Sequence, residues 1–115
     1  MGKRGTFATG STELHHHVIE GNLEMLKNVL DKHGHLVNVR DQNGWSALHE
    51  AVRKGETAAV ELLLNRGAEM NLRTGKNENG DSPLSLAKYF LGADHEVTKL
   101  LETRGAKDTK YEAEL

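Results

Sequence analysis

DQNGWSALHEAVRKGETAAVELLLNRGAEMN, residues Asp41–Asn71, is the stretch that decides the fold. Ser46 is placed to cap a short helix, Leu48, Ala51 and Val52 follow at helical spacing, and Gly55 breaks it. In the second helix Ala59, Val60, Leu62, Leu63 and Leu64 make an apolar stripe too broad for one neighbour. Such a stripe suits a helix that touches its own partner and further units on either side. Gly67 ends this helix after Asn65-Arg66, where glycine accepts the left-handed conformation and arginine meets the negative end of the helix dipole.

Outward from this stretch the chain repeats itself. Leu14-His15 recurs as Leu48-His49, Gly21 as Gly55, Val29-Leu30 as Leu63-Leu64 and Asn38 as Asn71; a third copy aligns through Gly80, Leu84, Ala87, Leu100-Leu101 and Gly105-Ala106. The first copy predicts helices over 12–20 and 22–32, with Leu23, Leu26, Val29 and Leu30 buried in the second of them. The third predicts helices over 82–91 and 94–104, with Val97, Leu100 and Leu101 inside. The stretches 35–44 and 69–80 are too short and polar for another helix and read as outward turns. No helix pair hides its apolar face alone, so three units are close to the smallest stable stack. The expectation is an all-α solenoid of three helix-turn-helix repeats with outward loops or hairpins over 11–107, a flexible lead over 1–10 and a short polar tail over 108–115.

Composition narrows the function. A length of 115 residues allows one domain with a modest core. With one Trp, two Tyr and two Phe, that core rests on Leu, Val and Ala. Fifteen Lys plus Arg against seventeen Asp plus Glu leave a net charge of −2, which offers no general field for nucleic acid or an anionic membrane. The absence of Cys and of any long apolar segment fits a cytoplasmic or nuclear protein.

The organisation resembles the ankyrin-repeat family, whose repeat reads Asp-x-x-Gly-x-Thr-Pro-Leu-His-x-Ala-Ala, then Gly, then a helix ending Leu-Leu-x-x-Gly-Ala-x-x-Asn. Asp41–Asn71 follows this pattern closely, with Ser46 for Thr and Ala47 for Pro. NENGDSPLSLAKYFLG restores Pro83 but places Ser85 where His is common, and TELHHHVIEGNLEMLKNVLDKHG keeps the Leu-His pair and Gly21. Together the matches cover residues 11–107. The resemblance implies a protein-binding module. It also implies that His15 and His49 bond to loop backbone and tie one repeat to the next, while Leu63, from its place in the apolar stripe of the second helix, reads as a structural core residue.

Partner contacts are then expected on a concave face of turn tips and first-helix surface. By resemblance these positions are Gln42, Asn43, Trp45, Arg53 and Lys54 in the middle unit, Glu78, Asn79, Asp81, Tyr89 and Phe90 in the third, and Glu13, Ile19 and Glu20 in the first. Trp45 stands between turn glycine and helix cap and is the sharpest contact candidate, with local packing across the turns as the alternative. Phe90 also fits a packing stripe with Leu86 and Ala87. The segment Leu63–Asn71 is similar to the substrate pattern of asparagine hydroxylases that act on such repeats, which makes Asn71 a hydroxylation candidate beside a turn-stabilising role.

Catalysis and metal binding find little support. His15, His16 and His17 diverge around a helix and cannot all face one ion, and His33 with His35 lacks a third ligand, so no metal or other cofactor is expected. His95 reads as exposed. No nucleophile elbow is present, and Gly75–Gly80 lacks the GK[ST] of a phosphate loop. The reading is a non-enzymatic module, a monomer when unbound, that engages a protein or peptide. The alternative is a recognition domain taken from an enzyme such as a prolyl hydroxylase, to whose attached repeats the third unit is faintly similar.

Overall fold

The computed structural model describes residues 11–111, so the expected lead over 1–10 and the last four residues lie outside the described chain. Six helices follow in order: α1 Glu13–Glu20, α2 Leu23–Lys32, α3 Ala47–Lys54, α4 Thr57–Asn65, α5 Pro83–Phe90 and α6 Glu96–Thr103. Among the described residues there is no strand, and no helix is long and apolar enough to cross a membrane. Consecutive helices pack as antiparallel pairs. α1, α3 and α5 stack side by side as an inner layer, and α2, α4 and α6 as an outer one.

Each inner helix starts on a hydroxyl. Thr12, Ser46 and Ser82 take extended backbone and accept from amides of the first turn, and Pro83 occupies the turn behind Ser82, where a missing N–H costs nothing. α1 and α3 end at Gly21 and Gly55, with φ of 73° and 69°, so the chain reverses in two residues into the outer helix. Leu91 and the side chain of His95 also pack closely against Gly55, so a larger residue there would strain the backbone and press on both.

The core runs through the stack between the layers. Leu14 and Val18 on α1, Leu48 and Val52 on α3, Val60 and Leu63 on α4 and Leu101 on α6 are all sealed from solvent. Between 35 and 44 the chain is less polar than its sequence suggests: Gly34–Leu36 makes a 3₁₀ turn, and Leu36 and Val37 are buried against the first unit. Leu23, expected inside, is 45% exposed. It lines a hollow beside Thr57, Ala58 and Ala59, whose small side chains do not reach out to cover it. Leu100 is half-buried, while Val97 and Leu101 are fully inside.

Residues 107–111 bond back to the start of α5. The Ser82 amide donates to the Thr109 carbonyl at 2.8 Å, and the Thr109 amide donates back to Ser82 Oγ at 3.0 Å. Ser82 Oγ itself donates to the Lys107 carbonyl at 2.6 Å, and the Tyr111 amide donates to Asp81 Oδ1 at 3.0 Å. The first part of the segment read as a tail is therefore fixed across the start of α5, by polar contacts that leave no apolar pattern in the sequence.

Leu63→Ala removes a fully buried side chain at the middle of the stack and should cost about 2–5 kcal/mol in reversible denaturant unfolding, as one cooperative transition. An unchanged midpoint would contradict the packing described.

Candidate functional site

Two histidines fix the turns that carry the expected contact positions. In α3, the Ser46 amide donates to His49 Nδ1 at 2.9 Å, so the ring proton sits on Nε2, which donates to the Leu72 carbonyl at 2.7 Å. His15 repeats the arrangement one unit earlier, accepting from the Thr12 amide at 2.9 Å and bonding through Nε2 to the Trp45 carbonyl at 2.7 Å. Each imidazole closes its own helix cap on one side and holds the next turn on the other. Ser85, at the matching place in α5, instead donates its hydroxyl to Asp81 Oδ1 at 3.0 Å.

Burial lowers the His49 pKa from 6.5 to about 4. The bond to the Leu72 carbonyl and the nearby Asp41 oppose that fall, while the charge of Arg40 adds to it. Only the neutral ring fits, because a second ring proton would face the Ser46 N–H.

Asparagines make a parallel set of ties on the outer side. Asn38 donates to the Gly67 carbonyl at 3.1 Å and accepts from the Glu69 amide at 2.9 Å. Asn71, exposed, accepts from the Lys107 amide at 2.8 Å. Its amide thus steadies the junction to the third unit, and an oxygenase would meet it in that bond.

The turn tips lie against one another. The Gly75 amide donates to the Asn43 carbonyl at 2.9 Å, and the backbone of Gly75 comes so near Gly44 that a side chain at Gly44 would collide with it. Gln42 and Asn43 are exposed at the first tip. Glu78 at the second is exposed and lies 3.8 Å from Arg40. Asp81 is half-buried, its Oδ1 engaged by Ser85 and the Tyr111 amide, so it positions the segment behind it rather than projecting to solvent.

Trp45 packs and faces the groove at once. It is half-buried against the core, its ring edge meets His49 at 5.7 Å, and the Arg53 guanidinium lies 5.6 Å from its centroid. Arg53 is held there by Glu50 at 2.7 Å, a carboxylate that is 8% exposed. Lys54 donates to the Ile19 carbonyl at the end of α1. On the other side of Trp45 opens a cleft of about 610 Å³ walled by Leu86, Tyr89, Phe90 and Tyr111, with Asp81, Lys88 and Lys110 at its edges. Tyr89 is 81% exposed and meets Phe90 edge-to-face at 5.0 Å. Phe90 does not join the packing of Leu86 and Ala87: α5 is the last inner helix among the described residues, and no further helix covers it.

His95 is half-buried rather than exposed, because its Nδ1 accepts from the Val97 amide and caps α6. Among the described residues no group of three His, Asp or Glu side chains is arranged to hold a metal ion. Reading the sequence misses Glu50, Lys110 and Tyr111 as parts of the face. The spacing of Glu50 three residues before Arg53 is a legible signal; Tyr111 carries none, since its place depends on the bonds that its own amide and its neighbours' backbone make to Asp81 and Ser82.

The family model for ankyrin repeats, in three copies, matches residues 14–111. The chain belongs to the ankyrin-repeat family. Ankyrin repeats are in general protein-interaction modules, and the relatives fit that role. The chain is 37% identical over 78 residues to the mouse protein phosphatase 1 regulatory subunit 27, covering 68% of this chain and 48% of that one. It is 38% identical over 97 residues to the human SMC5-SMC6 complex localization factor protein 1, covering 84% and 9%. To the Arabidopsis thaliana serine/threonine-protein kinase 12 it is 37% identical over 98 residues, covering 85% and 20%. The chain therefore spans less than half the length of each of these relatives. The ankyrin match also runs through the docked segment up to Tyr111, beyond the boundary drawn at 107 from sequence.

A group whose folded pKa lies below its unfolded value stabilises fully above the unfolded pKa and loses that contribution as pH falls toward the folded one. For His49 the window is pH 6.5 down to about 4. Denaturant unfolding should register its share as a loss of about 2 kcal/mol between pH 7 and pH 5, with the His49 ring still neutral by NMR at pH 5. A ring charged at pH 5 in the folded chain would contradict the buried tie.

Proposed function

We propose that this chain is a non-catalytic interaction module that holds a protein or peptide on its concave face, in the cleft between Trp45 and Tyr89. The observation that carries the reading is the aromatic cleft itself: four aromatic side chains converge on a scaffold with only five, and Tyr89, Phe90 and Tyr111 stay in solvent. Exposed aromatic groups rimmed by charge are characteristic of binding hot spots. The Arg53 guanidinium, steadied by Glu50 and the Trp45 face, adds an ordered hydrogen-bond donor beside the cleft. Gln42, Asn43, Lys54 and Glu78 extend the surface toward the turn tips and the first unit.

The kinase among the relatives supports a second reading, in which repeats of this kind serve as the recognition part of a longer enzyme. Both readings give these residues the same task. A chain without Cys is at home in the cytoplasm or nucleus, and the unbound module is proposed to be monomeric.

The test pairs affinity capture by wild-type and Tyr89→Ala chains with amide hydrogen exchange on the captured complex. Tyr89→Ala is expected to weaken binding by about 1–2 kcal/mol at an unchanged melting midpoint, and Trp45→Ala to lower both affinity and stability. Protection on binding should fall on residues 45–54 and 81–90. Protection confined to α2, α4 and α6, with Tyr89→Ala binding normally, would reject the site.

A further inference from the structure

We propose that the occupant of this cleft is an acidic peptide segment, one large apolar side chain flanked by carboxylates; the inference rests on the cleft being the binding site. Its basis is the distribution of charge. α3 carries one acid, Glu50, which is buried and paired with Arg53, and α5 carries none. The exposed charged side chains of these two inner helices are Arg53, Lys54 and Lys88, all cationic, and Lys110 adds a fourth at the cleft edge.

Little on this face answers those charges. Lys88 is paired with Asp108 at 3.0 Å and lies 4.0 Å from Glu102. Among the described residues Lys54 meets only a neutral carbonyl, and Arg53 commits one nitrogen to a carboxylate that faces inward. Asp81 is half-buried and turned to Ser85 and the Tyr111 amide. The inner helices α3 and α5 thus present cations outward and withdraw their one carboxylate, with exposed Glu78 at the turn tip beside Arg40 and outside the cleft lining, although the whole chain carries a net charge of −2. That contrast complements a partner with a few carboxylates at fixed places.

The remaining acids limit the alternatives. Glu13 and Glu20 lie on the neighbouring inner helix α1, and Glu20 is exposed beside the carbonyl that Lys54 reaches. A continuous phosphate backbone along the face would pass these groups and gain no general attraction from the chain. A short peptide can seat its apolar residue between Trp45 and Tyr89 and place its carboxylates on Arg53, Lys54 and Lys110. The guanidinium fork suits a carboxylate on geometric grounds.

A random peptide library selected on the whole chain tests this, with affinities of the synthesised winners read from Trp45, the chain's single tryptophan. Enriched peptides should be rich in Asp and Glu around an aromatic or large aliphatic residue, and should weaken at least about tenfold on Tyr89→Ala. They should weaken similarly on Lys54→Glu combined with Lys110→Glu, on replacement of their own acids by amides, and with rising salt. Lys110→Glu alone is measured as well, since Lys54 touches α1, and the melting midpoint of each variant is checked.

Neutral or basic winners that still need Tyr89 would overturn the acidic class and leave the cleft as the site. Winners indifferent to Tyr89→Ala, or no enrichment at all, would overturn both. Tyr89-dependent binding of oligouridine without acidic winners would replace the peptide by single-stranded nucleic acid.

Discussion

An imidazole that bonds in two directions organises this molecule. In α3 one ring nitrogen accepts from the helix cap at Ser46 and the other donates to the Leu72 carbonyl; α1 repeats the device from Thr12 to the Trp45 carbonyl. A helix start and the following turn are thereby fixed by one side chain, in surroundings dry enough to keep His49 neutral. Because buried polar groups are costly when unpaired, the two ends of each ring hold one another's partners in register. The outer asparagines make the corresponding joints between the turns and the ends of α4 and α6.

The proposed binding face follows from these ties. Trp45 supplies the carbonyl that His15 holds, packs its ring on His49 and carries Arg53 above it. Its position is set by the scaffold, whereas Tyr89, on the last inner helix, is free of such duties and meets solvent. One cleft therefore combines a fixed wall and an adaptable one. This division is also why α3 and α5 can carry an unbalanced set of surface charges: their inner positions already determine the fold, and Arg53, Lys54 and Lys88 are exposed and available to the proposed recognition.

Much of the scaffold is legible in the chain because the same physics is written three times. Ser46, Gly55 and Leu63 each occupy a place whose chemistry is plain from residue type, and the helix limits fall within about two residues of those read from the pattern. Leu23 and Phe90 were harder, since an apolar residue at helical spacing says nothing of whether a neighbour reaches it: small residues start α4, and no further helix covers α5. The docking of Asp108–Tyr111 rests on bonds between its own backbone and the amide and hydroxyl of Ser82 and the carboxylate of Asp81, which no apolar pattern announces. The surface positions themselves were legible only through the family resemblance, and the withdrawal of Glu50 and Asp81 from solvent required the three-dimensional arrangement.

The most direct test of this account is the NMR state of the His15 and His49 rings. Nitrogen shifts at neutral pH should give Nδ1 as a bare acceptor and Nε2 as the protonated nitrogen in both, with hydrogen-bond couplings from Nε2 to the Trp45 and Leu72 carbonyls. Protons on Nδ1, or rings that flip freely with no coupling to either carbonyl, would contradict the claim that these two side chains hold the turns, and with them the Trp45 wall of the cleft.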